Sequence, residues 1–208
     1  MSETMSSSVA TADVHPIGLI VTDDLQRNRL TVFFRLLLAI PHFIVVLLWG
    51  IVAELALLVS WFAALFTGRV PDGLHNFIAS WLRYSTRVTA YVFLLADPFP
   101  PFGSGGSYPI DVRIDPAQPQ SRLTVLFRLL LAIPALLLTY VFRAVNQIVA
   151  LLGWFYALAT GRMNEGMRNI SAWLLRYETQ TWGYVFLLTG RYPSLAGAPT
   201  ALGNRLMR

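Results

Sequence analysis

A chain of 208 residues is long enough for one or two domains, but 55% of it is hydrophobic and only 13% charged. With a mean hydropathy of +0.55, this excludes an ordinary water-soluble domain and indicates an integral membrane protein. The net charge of +5 comes from 16 basic residues, all arginine, which flank apolar runs and form no aromatic-interleaved patch, so they fit membrane orientation and not nucleic-acid binding.

The chain writes one unit twice. A step of 93 takes Arg29 to Arg122, Arg35 to Arg128, Pro41 to Pro134, Trp61 to Trp154 and Thr67-Gly68-Arg69 to Thr160-Gly161-Arg162, with no gap between His15 and Pro193. The unit is roughly 86 residues long, a tandem duplication. Absence of cysteine removes disulfides, thiolate catalysis and thiolate metal sites.

In chain order, residues 1–14 read as a polar disordered tail, residues 15–102 as the first repeat, 103–107 as a Gly/Ser linker, 108–193 as the second repeat and 194–208 as a flexible tail. The polar start carries no arginine and does not resemble a cleaved signal, so the first apolar run is expected to act as its own insertion signal. Each repeat opens on a short alternating strand, Ile17-Leu19-Val21 and Ile110-Val112-Ile114, and the two are expected to pair or to lie on the helices. Leu30 to Phe66 is apolar apart from Arg35, His42 and Glu54; as one helix it would run about 55 Å, far beyond a bilayer core of about 30 Å. Pro41 and Pro134 are the expected breakpoints, giving an interfacial helix followed by a tilted spanning helix, Pro41 to Phe66 and Pro134 to Ala159. Gly68 and Gly161 suit left-handed helix ends.

Leu74 to Leu95 and Met167 to Leu188 are either second spans with polar faces turned inward or interfacial helices. If they span, the repeats are parallel and the arginines divide nine to three across the membrane with four inside spans; if they do not, the repeats are inverted and the division is nine to six. The positive-inside rule favours the first. The expected fold is therefore mainly α and integral to the membrane: two tandem parallel repeats, about four transmembrane helices, interfacial helices, one short β-strand per repeat and both termini cytoplasmic.

RLTVFFRLLLAIPHFIV, WFAALFTGRVPDGLHNF and LRYSTRVTAYVFLLADPFPPF resemble the bacterial membrane family known as domain of unknown function 4389, and the resemblance covers nearly the whole chain in two copies. It implies a multi-span protein of the bacterial cytoplasmic membrane and brings no activity, ligand or cofactor with it. The second copy departs from the pattern: Ala135 stands for His42, and Gly190-Arg191-Tyr192-Pro193 for Asp97-Pro98-Phe99-Pro100.

Candidate sites are few. Glu54 lies mid-span, where a carboxylate needs a partner; its equivalent is Gln147, with Asn146 adjacent and Arg143 one turn earlier. This cluster is expected either to fix helix register or to form a polar path between repeats. Arg29, Arg35, Arg122 and Arg128 are candidates for lipid headgroups, by snorkelling or by specific phosphate capture. Arg83, Arg87 and Arg176 form an inward polar face that bonds carbonyls or turn carboxylates, or attracts an anion. His42 more readily makes a hydrogen bond than a metal site. His15, His42 and His75 have no regularly spaced carboxylate, and HExxH, GxSxG and phosphate-loop patterns are missing, so no enzyme is expected, nor any metal or cofactor. The expected function is that of a non-enzymatic accessory or scaffold subunit, or a lipid-interacting module. The alternative is a small transporter or channel using the polar cluster. Membrane lipids are the expected partners, with a protein complex or homo-oligomer left open and nucleic acid excluded.

Overall fold

The structure is a computed structural model that describes residues 14–196 and the backbone of residues 200–201. The expected tail over residues 1–14 lies, apart from Val14, outside the described residues, as does most of the segment from Ser194 onward. The elements are β1 (Ile17–Val21), α1 (Arg29–Thr67), α2 (Asp72–Val92), β2 (Ile110–Ile114), α3 (Arg122–Leu126), α4 (Arg128–Thr160), α5 (Glu165–Val185) and β3 (Thr200–Ala201). The fold is mainly helical, with one strand opening each repeat.

Each long helix folds back on its successor, α1 on α2 and α4 on α5. Buried Val32, Arg35, Ala39, His42, Gly50, Ala53, Ser60 and Ala64 trace one stripe along α1, and α2 lies along it from Trp81, whose indole donates to Val46 O, to Tyr91, whose carbonyl accepts from Arg35. Pro41 and Pro134 do not break their helices; both lie inside them. Proline deletes one helix donor, but Arg35 and His42 anchor α1 to α2 on both sides of Pro41, so the helix continues. The break in the second copy falls at Phe127, between α3 and α4. The expected interfacial helices therefore merge into the long ones, except for this five-residue α3. Thr-Gly-Arg closes both long helices, with Gly68 and Gly161 at φ 79° and 74° and the Thr67 and Thr160 hydroxyls accepting from the Arg69 and Arg162 amides.

The relation between repeats differs from the expected parallel one. Gln120 N donates to Gly68 O, and Arg27 N to Gly161 O; Trp61 Nε1 donates to Val125 O, and Trp154 Nε1 to Val32 O. Each of these bonds becomes the other under the 93-residue step. The end of α1 thus meets the start of the second copy, while the end of α4 meets the start of α1. Such reciprocal contacts require a pseudo-twofold axis crossing the long helices, and the repeats are antiparallel. The axis passes between Leu19 and Val112, partners in the antiparallel β1–β2 pair, and between the Thr86 and Thr179 hydroxyls, 3.4 Å apart. β3 adds to the other edge of β1 in parallel.

The sheet buries Ile17, Leu19, Val21, Ile110 and Val112 against α2 and α5. Those two helices are enclosed between the sheet and the long helices, and from Ser171 to Val185 no residue of α5 is exposed. Of the four expected spans, only α1 and α4 are long and apolar enough to cross a membrane. Leu74 to Leu95 and Met167 to Leu188 are instead interior elements carrying buried polar side chains such as Arg87, Glu178 and Gln180. That burial explains their mixed composition: Arg87, Glu178 and Gln180 each bond to protein groups and need no aqueous face.

β1 crosses α5 at Gly183, where an added Cβ would collide with the Ile17 side chain. Gly183→Ala is expected to destabilise the fold by about 1–3 kcal/mol through overpacking. Gly73→Ala, at a position with nothing within 4 Å, is expected to be neutral; the Tm of the two variants in detergent checks the contrast.

Candidate functional site

Two features distinguish the molecule, an apolar surface and a cavity on the pseudo-twofold axis that holds an ion pair among mostly apolar walls. The surface belongs to α1 and α4. Leu36, Leu37, Phe43, Leu47, Leu55 and Phe66 are exposed along α1, and Leu129, Leu137, Ile148, Leu151 and Phe155 along α4. The α1 face alone extends about 58 Å at 1.5 Å per residue over 39 residues. An exposed apolar patch of that extent calls for lipid or protein cover. Between the N-terminal half of α1 and α4 runs an apolar groove of about 510 Å³ lined by Val32, Leu36, Phe93, Leu151 and Trp154, with Gln147 at its side.

The cavity, about 250 Å³, lies on the side of the Thr86–Thr179 contact away from the sheet; Glu54, Arg143 and Glu178 line it together with the apolar Trp81, Leu175 and Phe186. Arg143 Nη1 donates to Glu178 Oε1 at 2.9 Å; Arg143 is half exposed and Glu178 buried. Of the expected cluster, Glu54 and Arg143 both line this cavity, but the carboxylate paired with Arg143 is that of Glu178, and among the described residues Glu54 has no ion pair. Gln147 points away from the cavity into the apolar groove. Asn146 is buried in α4, with no hydrogen-bond partner for its amide among the described residues.

The arginines divide in two. Arg35 and Arg128 are 2% exposed and close the C-terminal ends of α2 and α5. Arg35 donates to Tyr91 O and Ala96 O and pairs with Asp97 at 2.9 Å; Arg128 donates to Tyr184 O, Thr189 O and Gln120 Oε1. Each guanidinium stacks on a tyrosine ring, at 4.4 Å for Tyr91 and 4.2 Å for Tyr184. Arg29 and Arg122 are exposed at opposite ends of the long-helix pair, Arg29 donating to Ala159 O. Arg83, Arg87 and Arg176 turn toward the sheet and loops: Arg83 bonds Val112 O, Arg87 bonds Gly105 O, Gly106 O and Asp111, and Arg176 bonds the carbonyls of Ser194, Leu195 and Ala196. His42 is fully buried, 2.7 Å from the Tyr84 hydroxyl and packed on Phe99 and Phe102. Among the described residues no group of three His, Asp or Glu could hold a metal ion.

Burial holds the Glu178 carboxyl above its ordinary value of 4.5, against the pull of Arg143. A carboxyl raised in the folded state contributes stability that is complete below its unfolded value and is lost as pH rises through the folded one. Replacing Arg143 removes the opposing charge and raises the folded value further. Arg143→Gln is therefore expected to lose more Tm than wild type between about pH 5 and pH 8, and the added Glu178→Gln change to abolish that loss; a Tm series across this range measures both.

A family model described as a domain of unknown function, DUF4389, matches residues 29–104 and again residues 122–196. No curated protein matches the chain, and no solved structure does. The two matches begin at Arg29 and Arg122, two residues after the reciprocal joints at Arg27 and Gln120. The chain belongs to the DUF4389 family, whose domain it carries as two tandem copies.

Proposed function

We propose that the chain is a non-enzymatic, lipid-contacting membrane module, serving as an accessory or scaffold element, in which α1 and α4 lie within one leaflet and do not cross the bilayer. The observation that carries this reading is the position of the pseudo-twofold axis. If α1 and α4 stood upright, an axis crossing them would lie in the membrane plane, and the sheet on that axis would sit at mid-depth. There, Asp111, Arg113 and the irregular backbone of Gly103 to Gly106 would meet hydrocarbon, which lipid-facing irregular backbone does not do. Laid in the plane, the same axis becomes the membrane normal: the apolar helices enter the leaflet and the sheet faces water. Exposed Arg29 and Arg162 at one end, and Arg69 and Arg122 at the other, then stand at headgroup level, where arginine pairs with phosphate.

Depth-dependent fluorescence quenching of single-cysteine labels at Leu37, Leu48 and Phe62 tests the seating, using the absence of native cysteine. Similar depths at all three positions are expected; a deep centre with shallow ends would mean that α1 spans.

A second reading, a small transporter using the polar cluster, is favoured by the ion pair inside the axial cavity. It requires Glu54→Gln to abolish flux at unchanged expression, and unaltered flux removes Glu54 from any transport path.

A further inference from the structure

The two copies neutralise their buried arginine differently. In the first, the Asp97 carboxylate is gripped from three sides: it pairs with Arg35 at 2.9 Å, accepts from the Asn28 backbone N–H at 3.2 Å and from the Thr31 hydroxyl at 3.3 Å. The 93-residue step maps these donors onto Arg128, Ser121 and Thr124, and all three types of donor are retained. It maps the carboxylate onto Gly190, which has none. In its place is a polar cavity of about 560 Å³, lined by Ser121, Thr124, Arg128, Gln120, Thr189 and Arg191. Arg128 is 2% exposed, and its polar contacts are neutral oxygens, those of Tyr184 O, Thr189 O and Gln120 Oε1. A buried guanidinium facing only neutral acceptors is an unbalanced charge beside an open space. Among the described residues, the one carboxylate lining that space, Asp115, lies 3.6 Å from Arg113.

We propose that this cavity is a phosphate site, in which the phosphate group of an external ligand takes the place that Asp97 fills in the first copy. Arg128 supplies the charge, and the Thr124 hydroxyl and Ser121 N–H are donors placed as those that hold Asp97. Phosphate fits better than carboxylate because the space far exceeds the side chain it replaces, leaving room for a third oxygen and a substituent. Exposed Leu123, Leu126 and Phe127 neighbour the site in sequence, so a lipid headgroup can reach it as readily as free phosphate. The site does not depend on how the long helices sit in the membrane, and its failure would leave the in-plane seating untouched.

The test is thermal unfolding of the full-length protein in two arms. One titrates inorganic phosphate in an uncharged detergent at constant ionic strength set with sodium chloride; the other compares phosphatidylcholine nanodiscs with and without phosphatidylglycerol. Tm is expected to rise by several degrees in at least one arm, and the responding arm names the source. Gly190→Asp restores the internal carboxylate where an added Cβ meets only Gln120 Cγ at 3.6 Å. It is expected to raise the unliganded Tm and abolish the response, while Gly190→Ala keeps it and Thr124→Val weakens apparent affinity roughly fivefold, the worth of one hydrogen bond. No rise in either arm overturns the proposal, as does an equal rise in wild type and Gly190→Asp, which would mark a general ionic effect.

Discussion

Everything in this fold depends on the joint at which each Thr-Gly-Arg turn meets the loop leading into the other copy. A helix end leaves carbonyls without partners, and the left-handed glycine at each end turns its own carbonyl toward the neighbouring repeat. There Gln120 N and Arg27 N take up Gly68 O and Gly161 O. The same two residues reach further with their side chains, Arg27 to Leu94 O and Gln120 to Leu187 O, so one short loop ties together the end of one long helix and the end of the opposite hairpin's inner helix. Two such joints, one at each end, hold the long helices antiparallel. The axial cavity, the enclosed inner helices and the central strand pair follow from that arrangement.

The symmetry is kept in the backbone and relaxed in the side chains, and the relaxed positions are where chemistry gathers. Arg143 stands where the first copy has Gly50, and Glu178 where it has Ser85, so the ion pair in the axial cavity belongs to one repeat alone. His42, under Phe99 and Phe102, is matched by Ala135. Asp97 is matched by Gly190, which leaves Arg128 without the carboxylate that Arg35 enjoys. Duplication supplied two equivalent frameworks; one closed its buried arginine internally and the other did not.

Much of this was legible in the residues, because identical residues in the two copies make identical contacts. Gly68 and Gly161 adopt the left-handed conformation that their place after a helix end called for, and the two opening strands pair, Leu19 with its own equivalent Val112; that Trp61 and Trp154 bond equivalent carbonyls of the other copy was not legible. The direction of one repeat relative to the other was not legible, since a duplicated sequence satisfies a parallel and an antiparallel twofold equally well. Arginine counting misled for a physical reason: Arg27, Arg35, Arg87 and Arg128 are buried staples on carbonyls and carboxylates, so they carry no information about which side of a membrane they face. The mixed composition of Asp72–Val92 and Glu165–Val185 fits a buried inner layer as well as an interfacial helix, and only the contacts separate the two. Glu178 escaped notice because nothing in the local pattern ties it to Arg143, 35 residues away on the preceding helix.

The most direct measurement is impermeant maleimide labelling of single cysteines at Asp24 and Gly73, which bracket α1 at its two ends, in sealed vesicles of one orientation. With α1 seated in one leaflet, both positions react from the same side of the membrane. Reaction from opposite sides would place α1 across the bilayer and contradict the in-plane arrangement of the long helices.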